Sequence, residues 1–198
     1  MAESVIEHER DQPGEMPLGN GVRWAALAVG AVVIALIGVF AFGTEDRLNP
    51  ASRVLGDRVP VVAGETLAGG NYDIDEARGR WVVVNFFATW CVGCINEHPE
   101  LVTFDQWAEE TGRAEVVAVV FNDPAEEVTA FFEANGGDWP VLDDAALPLE
   151  FQVSQIPETF LVAPSGQVVQ QFRGEVTAAT LIATIESIEN EAGIGEGG

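Results

Sequence analysis

Residues 81–94 read WVVVNFFATWCVGC. Trp81 to Phe87 is a nearly unbroken apolar run rich in β-branched residues, the composition of a strand buried on both faces. After Ala88-Thr89-Trp90 comes Cys91-Val92-Gly93-Cys94, and Ile95, Leu101, Phe104 and Trp107 follow at helical spacing. The stretch predicts a central strand, a short turn and a helix over 94–110 that opens on the cysteines, kinked at Pro99. At a helix N-terminus, unpaired N–H groups and the macrodipole favour an anion. A thiolate there has a lowered pKa and is nucleophilic at neutral pH. Cys91 is expected at the exposed tip, and Cys94 one turn on, facing inward and close enough to close a disulfide. Trp90 is expected to shield the pair.

Downstream, Ala114 to Phe121 reads as a second buried strand. Asp123 and Pro124 read as the cap and first position of a helix burying Val128, Phe131 and Phe132 and ending at Gly136-Gly137. A short strand is expected over 139–142 and a brief helix from Asp144 to Phe151. Strands 159–162 and 168–172, joined through Pro164-Ser165-Gly166, read as an antiparallel hairpin. Thr177 reads as the cap of a last helix with Leu181, Ile182, Ile185 and Ile188 on one face. Upstream, 66–74 around Gly69-Gly70 reads as a hairpin at the sheet edge. Strands alternating with helices and then a hairpin predict an α/β sandwich with a central mixed sheet flanked by helices.

Composition narrows the function. The chain has 198 residues, enough for one domain with appendages. Its 9 basic residues, all arginine, face 32 acidic ones, a net charge of −23. Such a surface repels phosphate backbones, which argues against a nucleic-acid partner. Two cysteines are too few for a disulfide framework or a four-cysteine zinc site.

The first part of the chain speaks to location. From Trp24 to Phe42 no residue is charged, and a helix of that length spans about 28 Å, close to the bilayer core. Arg23 bounds it on one side and Glu45, Asp46 and Arg47 on the other. The expected organisation is a disordered acidic segment over 1–23, a transmembrane signal anchor over 24–43, and a linker over 44–58. A folded domain over 59–190 and a flexible acidic tail over 191–198 complete it. A cleaved signal peptide is the rival reading, with Ala41-Phe42-Gly43 as its cleavage site. Arginines near the two ends of the span do not decide its orientation.

The cysteine pair has two other readings. The pair can be two small core residues, or it can ligate metal with His98, one turn beyond Cys94. A fourth ligand is missing for the latter, and no metal is expected. Ile156-Pro157 stands directly before the 159–162 strand, where proline cannot donate to a ladder and cis bonds favour tight turns. There the Ile156 backbone can pair with an extended substrate segment in β fashion.

With these residues in view, the sequence resembles the thioredoxin superfamily, in its membrane-tethered TlpA/ResA/CcmG (DsbE) branch. The resemblance rests on VVVNFFATWCVGC (82–94), CINEHPEL (94–101) and IPETFLVAPSGQVV (156–169), with FRGEV (172–176) as a looser match. Asn85 stands where cytosolic thioredoxins have a buried Asp. Gly93 departs from the proline common before the second cysteine.

The resemblance implies a thioredoxin-like fold and a thiol-disulfide oxidoreductase that works through Cys91 and Cys94 and needs no cofactor beyond that redox-active pair. It implies Trp90, Ile156 and Pro157 as substrate-binding residues, with Asn85 and Glu158 as supporting groups. It also implies a single-pass protein of the cell membrane, N-terminus cytoplasmic and domain extracytoplasmic. That domain would reduce disulfides in exported proteins such as apocytochrome c, fed by a membrane electron donor of the DsbD/CcdA type. The alternatives are the same chemistry reversed, as an extracytoplasmic disulfide oxidase, and a copper- or other metal-handling protein using Cys91, Cys94 and His98.

Overall fold

The computed structural model describes residues 54–193, together with Trp24 and residues 27–32, which are helical and bear the exposed side chains of Trp24, Leu27, Val29 and Val32. No helix among the described residues is long and apolar enough to cross a membrane. The rest of the expected 24–43 span, and residues 1–23, lie outside the described residues.

The domain is built on a five-stranded mixed sheet in the order β5-β4-β3-β6-β7. Its members are β3 (Trp81–Phe87), β4 (Ala114–Val120), β5 (Val141–Leu142), β6 (Glu158–Val162) and β7 (Val168–Arg173). β3, β4 and β5 run parallel, whereas β6 and β7 are antiparallel. Each residue of β3 is buried, as expected of a central strand covered on both faces. Side chains alternate across it. Trp81, Val83 and Phe87 pack with Leu101, Phe104, Val128, Leu181 and Ile185 on one face. Val82, Val84 and Phe86 pack with Leu147, Phe151 and Phe160 on the other. The helices of the first layer are α1 (Val92–Thr111), α2 (Ala125–Asn135) and α4 (Ala178–Glu191); the short α3 (Leu147–Glu150) covers the second. This is the expected α/β sandwich with a central mixed sheet.

Several local readings differ from expectation. Asp123 does not cap α2, whose N-cap is Pro124 without a side-chain bond. Its carboxylate instead accepts the Thr89 N–H at 2.5 Å, tying the turn before Cys91 to the end of β4. The hairpin of β1 (Ala63–Glu65) and β2 (Asn71–Asp73) forms its own two-stranded sheet, joined to the main one through the Thr66–Leu142 bridge. Leu55 and Arg58, at the end of the expected linker, bridge to Val168 and Gln167 along the outer side of β7. Thr177 caps α4 as expected, accepting the Thr180 N–H.

Candidate active site

Cys91 is the N-cap of α1, with extended backbone, and its sulfur accepts the Cys94 N–H at 3.1 Å. The sulfur thus sits where the free N–H groups of the helix converge, the position that stabilises a thiolate. Cys91 and Cys94 form a disulfide, their Cα atoms 5.2 Å apart. Cys94 is completely buried, whereas Cys91 keeps 6% of its surface. The first cysteine is therefore less open than the tip position predicts, yet it alone of the two is accessible.

Around it the surface is apolar. Trp90 is 55% exposed, Val92 71% and Ile95 41%. Trp90 does not fold over the pair as a shield; its indole N–H donates to the Asn122 carbonyl at 3.2 Å and its ring lies against Phe121. Next to that ring a cavity of about 590 Å³ is lined by Phe121, Asp123, Asp143, Pro148, Leu149 and Val153.

The Ile156–Pro157 bond is cis. Pro157 lies against the helix start: a Cβ on Gly93 would come 3.0 Å from its Cδ. Glycine between the cysteines therefore permits this close approach. A side chain there would require the proline to give by a few tenths of an ångström.

Beneath the pair lies a buried polar cluster. The Asn85 side-chain NH2 donates to Glu97 Oε1 at 2.7 Å and to Thr159 Oγ1 at 2.9 Å. The Val176 N–H donates to Glu97 Oε2 at 3.1 Å. Glu97 is buried and lies three residues after Cys94, on the same side of α1. Burial pushes its carboxyl up to about 7, helped by the Glu175 charge and opposed by the two N–H donors. Sequence reading passed over Glu97. The available signal was a carboxyl at a core-facing helix position one turn beyond the second cysteine.

Glu158, directly after Pro157, is also buried. Its carboxyl is pushed up by burial and held down by Arg173 at 3.1 Å and by the Gln171 amide. His98 does not join the cysteines. Its Nε2 pairs with the Gly136 carbonyl at 2.9 Å, and its ring packs among Phe131, Phe132 and Trp139, where burial lowers its pKa. Among the described residues no group of His, Cys, Asp and Glu side chains is arranged to hold a metal ion. His98 is thus engaged away from the cysteines.

The site thus combines a dithiol pair at a helix N-terminus, a proline from the facing loop and an ionisable carboxyl in the wall behind. This set is equipped for thiol–disulfide exchange between sulfur atoms.

Comparison with known proteins agrees. The sequence pattern of the family described as Redoxin matches residues 55–190. The chain is 26% identical over 171 residues to the thiol-disulfide oxidoreductase ResA of Halalkalibacterium halodurans, covering 85% of this chain and 96% of that one. It is 26% identical over 156 residues to the thiol:disulfide interchange protein HelX of Rhodobacter capsulatus, covering 76% and 86%. The fold is similar to the crystal structure of a thioredoxin-family thiol:disulfide interchange protein from Chlorobium tepidum. That match has a TM-score of 0.61 at 24% identity, over 66% of this chain and 94% of that one.

Proposed function

From the redoxin family, to which this chain belongs, we propose that this thiol-disulfide oxidoreductase runs in the reducing direction. Its clients are disulfides of exported proteins, apocytochrome c among them, and its domain is held outside the cell membrane by the 24–43 span. The observation that carries the direction is the acidic setting of the pair. Glu97 stands one turn beyond Cys94 with Glu175 as its charged neighbour, Val92 and Gly93 separate the cysteines, and His98 is turned away. Negative charge beside the pair disfavours the Cys91 thiolate and so favours the disulfide, the property of a reducing couple. The client and the location rest on the resemblance to the TlpA/ResA/CcmG branch and on the apolar span.

The cycle follows from the geometry. The Cys91 thiolate attacks one sulfur of the client disulfide, forming a mixed disulfide and expelling the other sulfur as thiolate. Glu97 takes the Cys94 proton, and the Cys94 thiolate attacks Cys91 Sγ. The second client sulfur leaves, and the pair is oxidised, as in this structure. Two electrons have passed to the client. A membrane donor of the DsbD/CcdA type returns them. Trp90 and the cavity beside it receive the apolar chain flanking the client cysteine, and the Ile156 backbone pairs with that chain in β fashion.

Cys94→Ser tests the client and its location, and the redox potential tests the direction. The variant removes the resolving thiol, so the mixed disulfide on Cys91 accumulates and its client is identified by mass spectrometry. Exported proteins with paired cysteines are expected; capture of cytosolic proteins alone sinks the location. A wild-type potential near −120 mV, that of a strong oxidant, replaces the reductase with an oxidase.

A further inference from the structure

The FRGEV segment (172–176) places a second carboxylate at the cysteine helix. Glu175 is exposed in the turn between β7 and α4, and its Oε1 accepts a hydrogen bond from the Asn96 amide at 3.2 Å. The same oxygen lies 3.4 Å from where a Cβ on Gly93 would stand. A carboxylate is thus fixed on the first turn of α1, between the two cysteines in sequence. The next residue, Val176, gives its N–H to Glu97. One turn therefore touches both ionisable parts of the site.

We propose that Glu175 is a positioning residue whose charge opposes the Cys91 thiolate and keeps the pair reducing. The helix N-terminus offers its partial positive charge to an anion. Glu175 already occupies that field, so a thiolate forming on Cys91 meets both the dipole and a fixed negative charge. The disulfide has no charge to lose, so the charge acts on the reduced state alone and shifts the equilibrium toward the disulfide.

The other charged groups around the site do not duplicate this. On α1, Glu97 faces Asn85 and Val176, and Glu100 accepts the Ala178 N–H. On β6, Glu158 is paired with Arg173 of β7. Glu175 is also the charged neighbour that pushes Glu97 upward.

The inference deepens the reductase reading and rests on it. The test uses the full-length protein. In Glu175→Gln, the Cys91 pKa, read from the pH dependence of alkylation of the reduced protein, should fall by about half a pH unit. That is the size expected of one exposed charge at short range in water. At a pH where Cys91 of the reduced protein is ionised, the equilibrium with glutathione should move about threefold toward the dithiol, about 14 mV more oxidising at 29.6 mV per tenfold. Both shifts should shrink in high salt, and Glu175→Asp should restore most of the wild-type behaviour. Unchanged alkylation and equilibrium in a folded Glu175→Gln variant overturn the proposal. So does a Glu175→Asp variant that shifts as far as the glutamine one, because the charge would then be irrelevant. A wild-type potential in the oxidant range overturns the reductase reading instead, so the two failures are distinct.

Discussion

Glu97 and Glu158 are both buried carboxyls, one a turn beyond Cys94 and the other directly after Pro157, and they lie on opposite faces of the sheet. Thr159 shares the α1 face with Asn85 and Glu97, so its chain neighbour Glu158 points to the other face. Glu158 is paired with an arginine, Arg173. Glu97 has only neutral donors, Asn85 and Val176, and its charged neighbour is another acid. Burial raises both, but the guanidinium partly reverses this at Glu158. The paired carboxyl serves structure, and the unpaired one is poised to exchange a proton near neutrality.

Three experiments break or sharpen this contrast. The largest effect is expected from Glu97→Gln, which removes the base serving Cys94. Single-turnover reduction of a client disulfide should slow by about two orders of magnitude at pH 7, within the usual range for a lost general base. The rate should also lose its inflection near pH 7. Equal slowing in Glu158→Gln, with the same change in pH profile, would erase the distinction.

Next in size is a pH effect on stability. The folded-state pKa of Glu97, about 7, lies above its ordinary value of 4.5. The native state therefore holds this proton more tightly than the unfolded chain does. Stability should fall as pH rises from about 4.5 through about 7, by on the order of 2–3 kcal/mol from this group. Glu158 contributes in the same sense, so the measurement is a difference. Urea unfolding of oxidised wild type and Glu97→Gln between pH 4.5 and 8 should show a flatter profile in the variant.

The smallest effect is expected at Arg173. Arg173→Met leaves Glu158 buried without its cation and should cost about 1–2 kcal/mol at pH 8, below the usual cost of a fully buried pair because the guanidinium is partly open to solvent. The loss should shrink at pH 5, where Glu158 can take up a proton. A loss independent of pH would mean that Arg173 contributes packing rather than charge.

Much of this molecule was legible in its sequence. The WVVVNFF run reads as a strand covered on both faces, and the Cys-x-x-Cys pair directly after it as the start of a helix, and both are found. Asp123 was misread because an aspartate before a proline looks like a helix cap in any local window. Its actual partner, the Thr89 N–H, arrives from a distant part of the chain. Glu97 was passed over because the helix carries carboxyls on both its exposed and its buried sides. Periodicity alone does not say which of them is deprived of water.

The sequence by itself determined the order of elements and the pair at the helix start, because each follows from local chain chemistry. Only the tertiary structure decided which acids are poised and which are neutralised. A carboxyl's ionisation depends on burial and on the charges that other strands and turns bring beside it. At Glu97 those are Asn85, Val176 and Glu175; at Glu158 they are Gln171 and Arg173.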